Sequence, residues 1–143
     1  ALHLEKTGMV VTIDIGEAYD IHPKNKQEVG ARLARLALAD TYGKGKYDIP
    51  MYKSFKIEKG AVILSFNQDI IIKGETPTGF AMAGPDMKFY PAHAIVKGDI
   101  ITVTSPDVTV PVAVRYGWAD NPPCNLYGEN GLPLTPFRTD SFE

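Results

Sequence analysis

The chain has 143 residues, 44% hydrophobic and 22% charged. That is enough for one ordinary domain or two small pieces with a real core, and too little for a large multidomain enzyme. Fifteen Lys and Arg against 17 Asp and Glu leave a net charge of −2, with no basic excess to hold a phosphate backbone, so nucleic acid is not an expected partner. No run approaches the roughly 18 apolar residues of a membrane span, so a membrane is not expected either. The single cysteine, Cys124, excludes an internal disulfide and a cysteine-based zinc cluster. The opening residues 1–6 lack a starting Met and the basic and apolar regions of a signal peptide, and read as a mature or truncated end.

Met9 to Ile13 is a short apolar run bounded by Gly8 and Gly16, which predicts a strand buried on both faces, as in a parallel sheet. A loop follows from Glu17 to Pro23. Asn25, three residues before Glu28, resembles a capping box. Val29, Leu33, Leu36 and Ala37 then give one apolar face to a helix running to about Tyr42, with Gly43 as its stop. Residues 9–42 therefore read as a strand, a loop and an amphipathic helix, an α/β unit. One strand and one helix cannot make a parallel sheet. The strand joins the following β layer, or the chain is the C-terminal part of something larger.

After Gly43-Lys44-Gly45 the character changes to short β-rich runs. Tyr52–Ile57 and Ala61–Phe66 flank Glu58-Lys59-Gly60, a hairpin turn. Ile70–Lys73, Gly79–Ala83, Lys88–Ile95 (interrupted by Pro91), Ile100–Thr104 and Val108–Tyr116 follow. Such spacing, with no helical period between the runs, predicts an antiparallel sandwich or barrel-like layer. The tail from Asn121 to Glu143, with four prolines and two glycines, reads as an irregular segment laid over a surface.

Asp20-Ile21-His22-Pro23 lies after the expected strand and before the helix, where sites form in open α/β sheets. A carboxylate near a histidine fixes its tautomer and leaves the other ring nitrogen free as a base. The same string is also what an ordinary loop would contain. Of the four serines, Ser54, Ser65, Ser105 and Ser141, none sits in a Gly-rich nucleophile elbow. Cys124 follows two prolines with no helix start to activate it and reads as structural. The chain thus holds a base and no nucleophile. His3 and His93 have no matched ligand spacing. Asp14, Glu17 and Asp20 form an acidic set that reads as a solvated loop rather than a cation site, and neither a metal nor a cofactor is expected. Val114 to Tyr127 gathers three aromatics, Arg115 and two prolines. It could line a sugar-binding groove, or it could be packing, with Arg115 paired to a buried carboxylate.

Asp20-Ile21-His22-Pro23-Lys24-Asn25-Lys26 resembles the histidine block of the sialate O-acetylesterases, carbohydrate esterases of the SGNH-hydrolase type. Val11 to Gly16 resembles the strand that leads into that block. Further matches are Gly79 to Gly84, Lys88 to Ala92, Val112 to Tyr116, Asn125 to Tyr127, Gly131 to Pro133 and Pro136 to Asp140. They span nearly the whole chain in the family's order.

The resemblance implies that residues 1–45 are the C-terminal strand–helix unit of an SGNH-type, flavodoxin-like α/β/α domain, and that 46–143 are a β-sandwich-like accessory region. It implies the C-terminal part of a secreted or periplasmic enzyme that removes acetyl groups from sialic acids (at the 9-O position) or from plant xylan. The partners would be an O-acetylated sugar or polysaccharide and an N-terminal portion carrying the nucleophilic serine. By this resemblance His22 is the general base and Asp20 its acid partner. SGNH hydrolases commonly place that Asp three residues before the histidine, where this chain has Tyr19. Asp14, a carboxylate outside the chain, or a backbone carbonyl are the alternatives to Asp20. The competing reading is a non-catalytic β-sandwich, either carbohydrate-binding or structural.

Overall fold

The computed structural model describes residues 4, 5 and 7–142; His3 lies outside them. They form mostly antiparallel sheet with one helix, α1 (Lys26–Asp40). Asn25 caps α1 by accepting the Glu28 N–H at 3.0 Å, as the capping-box spacing predicts. At the other end Gly43 takes φ of +63° and the Lys44 N–H returns to the Leu38 carbonyl at 2.8 Å.

The strands are β1 (Tyr52–Glu58), β2 (Ala61–Phe66), β3 (Ile70–Ile72), β4 (Phe80–Ala83), β5 (Phe89–Pro91), β6 (His93–Lys97), β7 (Ile100–Thr104), β8 (Ala113–Tyr116), β9 (Leu126–Gly128) and β10 (Phe137–Arg138). They build two four-stranded sheets, in the orders β1-β2-β7-β6 and β10-β8-β4-β5, with a small β3-β9 pair beside them. Lys59 and Gly60 both take positive φ, and Glu58 faces Ala61. This is the two-residue turn whose twist matches a hairpin. Pro91 ends β5 on a sheet edge, where its missing N–H costs no ladder bond. After Ala92 the chain re-emerges as β6 in the other sheet.

The inward faces of both sheets share one core. Val62, Leu64 and Phe66 of β2 alternate inward, met by Ile101 and Val103 of β7, Phe80 and Met82 of β4, and Val114 and Tyr116 of β8. An aromatic stack runs through it. The Tyr52 and Phe137 rings are 4.8 Å apart and nearly parallel, and Phe137 also meets Phe66 and Tyr116 within 5.8 Å.

Three expectations need correction. Met9 to Ile13 is not a strand: the segment pairs with no ladder among the described residues, and only Val11 is buried. Its backbone groups have no neighbouring strand edge to join. The helix face of Val29, Leu33, Leu36 and Ala37 is not buried either. Leu33 is 50% exposed, and the one buried helix residue is Arg32. The tail, finally, is not laid over a surface. Leu126, Leu132, Leu134 and Phe137 are buried in the core, and the chain turns between the first two where the Gly131 N–H bonds the Gly128 carbonyl.

Candidate functional site

The loop between Asp14 and α1 carries Asp20 and His22. Asp20 is two residues before His22, so its carboxylate can fold back on its own chain. Oδ1 accepts the His22 backbone N–H at 2.8 Å and lies 3.4 Å from the ring Nδ1. This local turn aims one carboxylate oxygen at one imidazole nitrogen. The His22 side chain is 83% exposed and Asp20's 47%, so Nε2 opens outward.

Both ends of this loop are fastened by Arg32. Its guanidinium donates to Asp14 through two bonds of 2.7 and 2.8 Å, to Glu28 at 2.9 Å and to the Val11 carbonyl at 2.6 Å. The Arg32 side chain is 3% exposed and that of Asp14 8%. A planar five-donor cation suits such a multi-partner site. Burial acts to raise the Asp14 pKa, but the Arg32 bonds and charge outweigh it, and the carboxyl is held below its ordinary range. The Arg32 pKa rises, first through its bond to Asp14. Tyr127 of β9 lies near this pair, and burial followed by the Asp14 charge pushes its phenol pKa upward. The Lys73 ammonium sits 3.5 Å over the Tyr127 ring. Asp14 is therefore engaged by Arg32, while Asp20 is the carboxylate beside His22.

The serines do not meet the histidine among the described residues. Ser54 and Ser65 share a hydroxyl–hydroxyl bond of 2.8 Å across β1 and β2, and Ser105 donates to the Pro91 carbonyl at 2.8 Å. Cys124 is half-buried, and burial pushes its thiol pKa up, away from nucleophilic use. Among the described residues no three His, Cys, Asp or Glu side chains converge as metal ligands would. Asp14 and Asp20 do not share a task, because Asp14 turns to Arg32 and Asp20 to His22.

The residues 114–127 form a second feature. Arg115 makes two bonds, of 2.9 and 2.8 Å, to Asp140, whose side chain is wholly buried. These bonds, first among the causes, hold the Asp140 pKa below its usual range. The carboxylate expected for Arg115 is thus Asp140. Tyr116 is core, whereas Trp118 is 51% exposed beside a groove.

Sequence reasoning missed Arg32, because a cation inside an apolar helical period reads as a solvated residue. The available signal was Glu28 four residues before it, together with Asp14 at the mouth of the same loop.

Set against known proteins, the chain is similar in fold and in sequence to part of a carbohydrate esterase. That protein is a carbohydrate acetylesterase from Xanthomonas citri, matched with a TM-score of 0.88 and 42% identity over 93% of this chain. The match covers 32% of the Xanthomonas protein, so this chain spans about a third of its length. No family model matches the chain, and no curated protein does.

Proposed function

We propose that this chain is the C-terminal part of a carbohydrate O-acetylesterase of the SGNH type, acting on acetyl esters of sugars such as 9-O-acetylated sialic acid or acetylated xylan. Residues 1–45 close its α/β domain and 46–143 form the β-rich accessory region. The observation that carries this reading is the Asp20 oxygen 3.4 Å from His22 Nδ1, with Nε2 left open, in a chain 42% identical to a carbohydrate acetylesterase.

In the mechanism, Asp20 accepts from Nδ1–H and fixes the tautomer, so Nε2 carries the lone pair. Nε2 takes the proton of a serine hydroxyl supplied by another portion of the enzyme as that oxygen attacks the acetyl carbonyl. The imidazolium then gives its proton to the departing sugar oxygen, and water completes the cycle by the same base. The exposure of His22 and of the α1 apolar face agrees with a serine-bearing portion seated there. Arg32, bonded to residues on both sides of the loop, keeps Asp20 and His22 in register.

The test compares acetyl release from p-nitrophenyl acetate by the chain alone and by the chain joined to a serine-bearing N-terminal portion. The chain alone is inactive, and a fluorophosphonate probe leaves its four serines unlabelled. In the joined enzyme His22→Ala lowers turnover by about 100-fold or more, and Asp20→Asn by less. His22→Ala with more than about a tenth of wild-type turnover contradicts the reading. The competing reading, a β-sandwich without catalysis, is favoured by a β core that closes without the His22 segment. It wins if the joined protein releases no acetate.

A further inference from the structure

We propose that the groove beside Trp118 is a glycan-binding subsite that seats a pyranose ring. The ligand class rests on the carbohydrate-esterase reading; the groove itself does not. The groove encloses about 400 Å³ between β4–β5 and the 115–123 loop, within the range of small-molecule clefts. Phe89 and Arg115 line it, with the guanidinium carbon 4.0 Å from the ring centroid. The buried Asp140 carboxylate fixes that guanidinium in place. Arg115 and Arg138 also stand 5.7 and 5.8 Å from the Trp118 ring. Half of the indole remains open to water. Asn121 adds an amide side chain to its lining.

A pyranose presents an apolar C–H face ringed by hydroxyls. It is matched by a flat, half-exposed aromatic side chain with an amide beside it. A nucleic acid is disfavoured by the net charge of −2 and by the neutralisation of Arg115 through Asp140. The loop that carries Trp118 packs against the N-terminal segment at Ile13. A Cβ on Gly117, the residue before Trp118, would come within 3.1 Å of the Ile13 side chain, and φ there is +65°.

Trp118 is the only tryptophan, so its fluorescence reports the site without labels. Titrating the chain with xylohexaose, cellohexaose and mannohexaose at millimolar concentrations should give a saturable emission change with at least one of them. By calorimetry, Trp118→Ala should weaken that binding about tenfold or more, the scale of one aromatic stacking contact, with an unchanged circular dichroism spectrum. Asn121→Ala should weaken it less. Failure of the esterase reading leaves this binding intact, since it is read without acetyl release. The proposal is overturned if none of the three sugars changes the emission, or if Trp118→Ala binds as tightly as wild type. It is also overturned if joining the N-terminal portion shields Trp118 from iodide quenching, which would make the groove an interface.

Discussion

β2 and α1 both carry aliphatic side chains at regular spacing, and they dispose of them in opposite ways. In β2 the alternation sends Val62, Leu64 and Phe66 into a core shared by two sheets, each no more than 1% exposed. In α1 the period of 3.6 brings Leu33, Leu36 and Ala37 to one face, yet Leu33 and Leu38 remain 50% and 43% exposed. A shallow apolar hollow lies between this face and Gly8. What α1 buries instead is Arg32. A buried ion pair contributes little net stability, since desolvation offsets most of its attraction. It does fix geometry, because leaving either partner alone is costly. The β region is thus held by packing. The N-terminal region is held together by the directed bonds of Arg32 to Val11, Asp14 and Glu28, and the apolar face of its helix stays exposed.

The strongest way to sharpen the contrast is to damage each region's own device. Phe66→Ala should lower global stability by about 3–5 kcal/mol, read as a drop in the urea midpoint. Asp14→Asn should cost about 3 kcal/mol, but locally. Hydrogen exchange should accelerate across 11–40 while β2 and β7 keep their protection. Equal loss in β2 would mean the two regions fold as one.

Acid should act more gently on the same bonds. Asp14 and Asp140 have folded pKa values below their unfolded values of roughly 3.9. Each therefore contributes stability that is full above that value and is lost as pH falls through the lowered folded value. Exchange measured as pH falls below about 4 should show protection lost around Arg32 and around 138–142 before the sheet core opens. The smallest effect belongs to the apolar face. Leu33→Ser in the isolated chain should change stability by no more than about 0.5 kcal/mol. In the joined enzyme it should cost about 1.5–3 kcal/mol, because only there is the side chain covered.

Much of the fold was legible because it follows from local chemistry. Lys59-Gly60 had to turn the hairpin, Asn25 and Glu28 had to start the helix, and Pro91 had to interrupt the run Lys88–Ile95, which the molecule divides between two sheets. Pairing was not legible. β2 finds β7 and β4 finds β8 across long loops, and no local period encodes that choice. Met9 to Ile13 was misread for a physical reason. An apolar run becomes a strand only when an edge is there to pair with it, and its composition is silent on that. The tail was misread because prolines and glycines outweighed Leu126, Leu132, Leu134 and Phe137 in the reading. In the molecule the Gly128–Gly131 turn folds the chain back, and those side chains are buried. Of the candidate site, the pairing of Asp20 with His22 was legible from their spacing. The fastening of the loop by Arg32 was not, since it joins residues 21 and 18 positions apart.

The most direct test of this division is native-state hydrogen exchange on the isolated chain, amide by amide. The account predicts that amides of β2 and β7 exchange only through global unfolding, whereas those of α1 and of residues 11–15 exchange at least about 100-fold faster, through local opening. Slow exchange in α1 and 11–15, matching β2, would contradict it. The helix and its loop would then be integral to a self-sufficient domain, with no surface waiting for a serine-bearing partner.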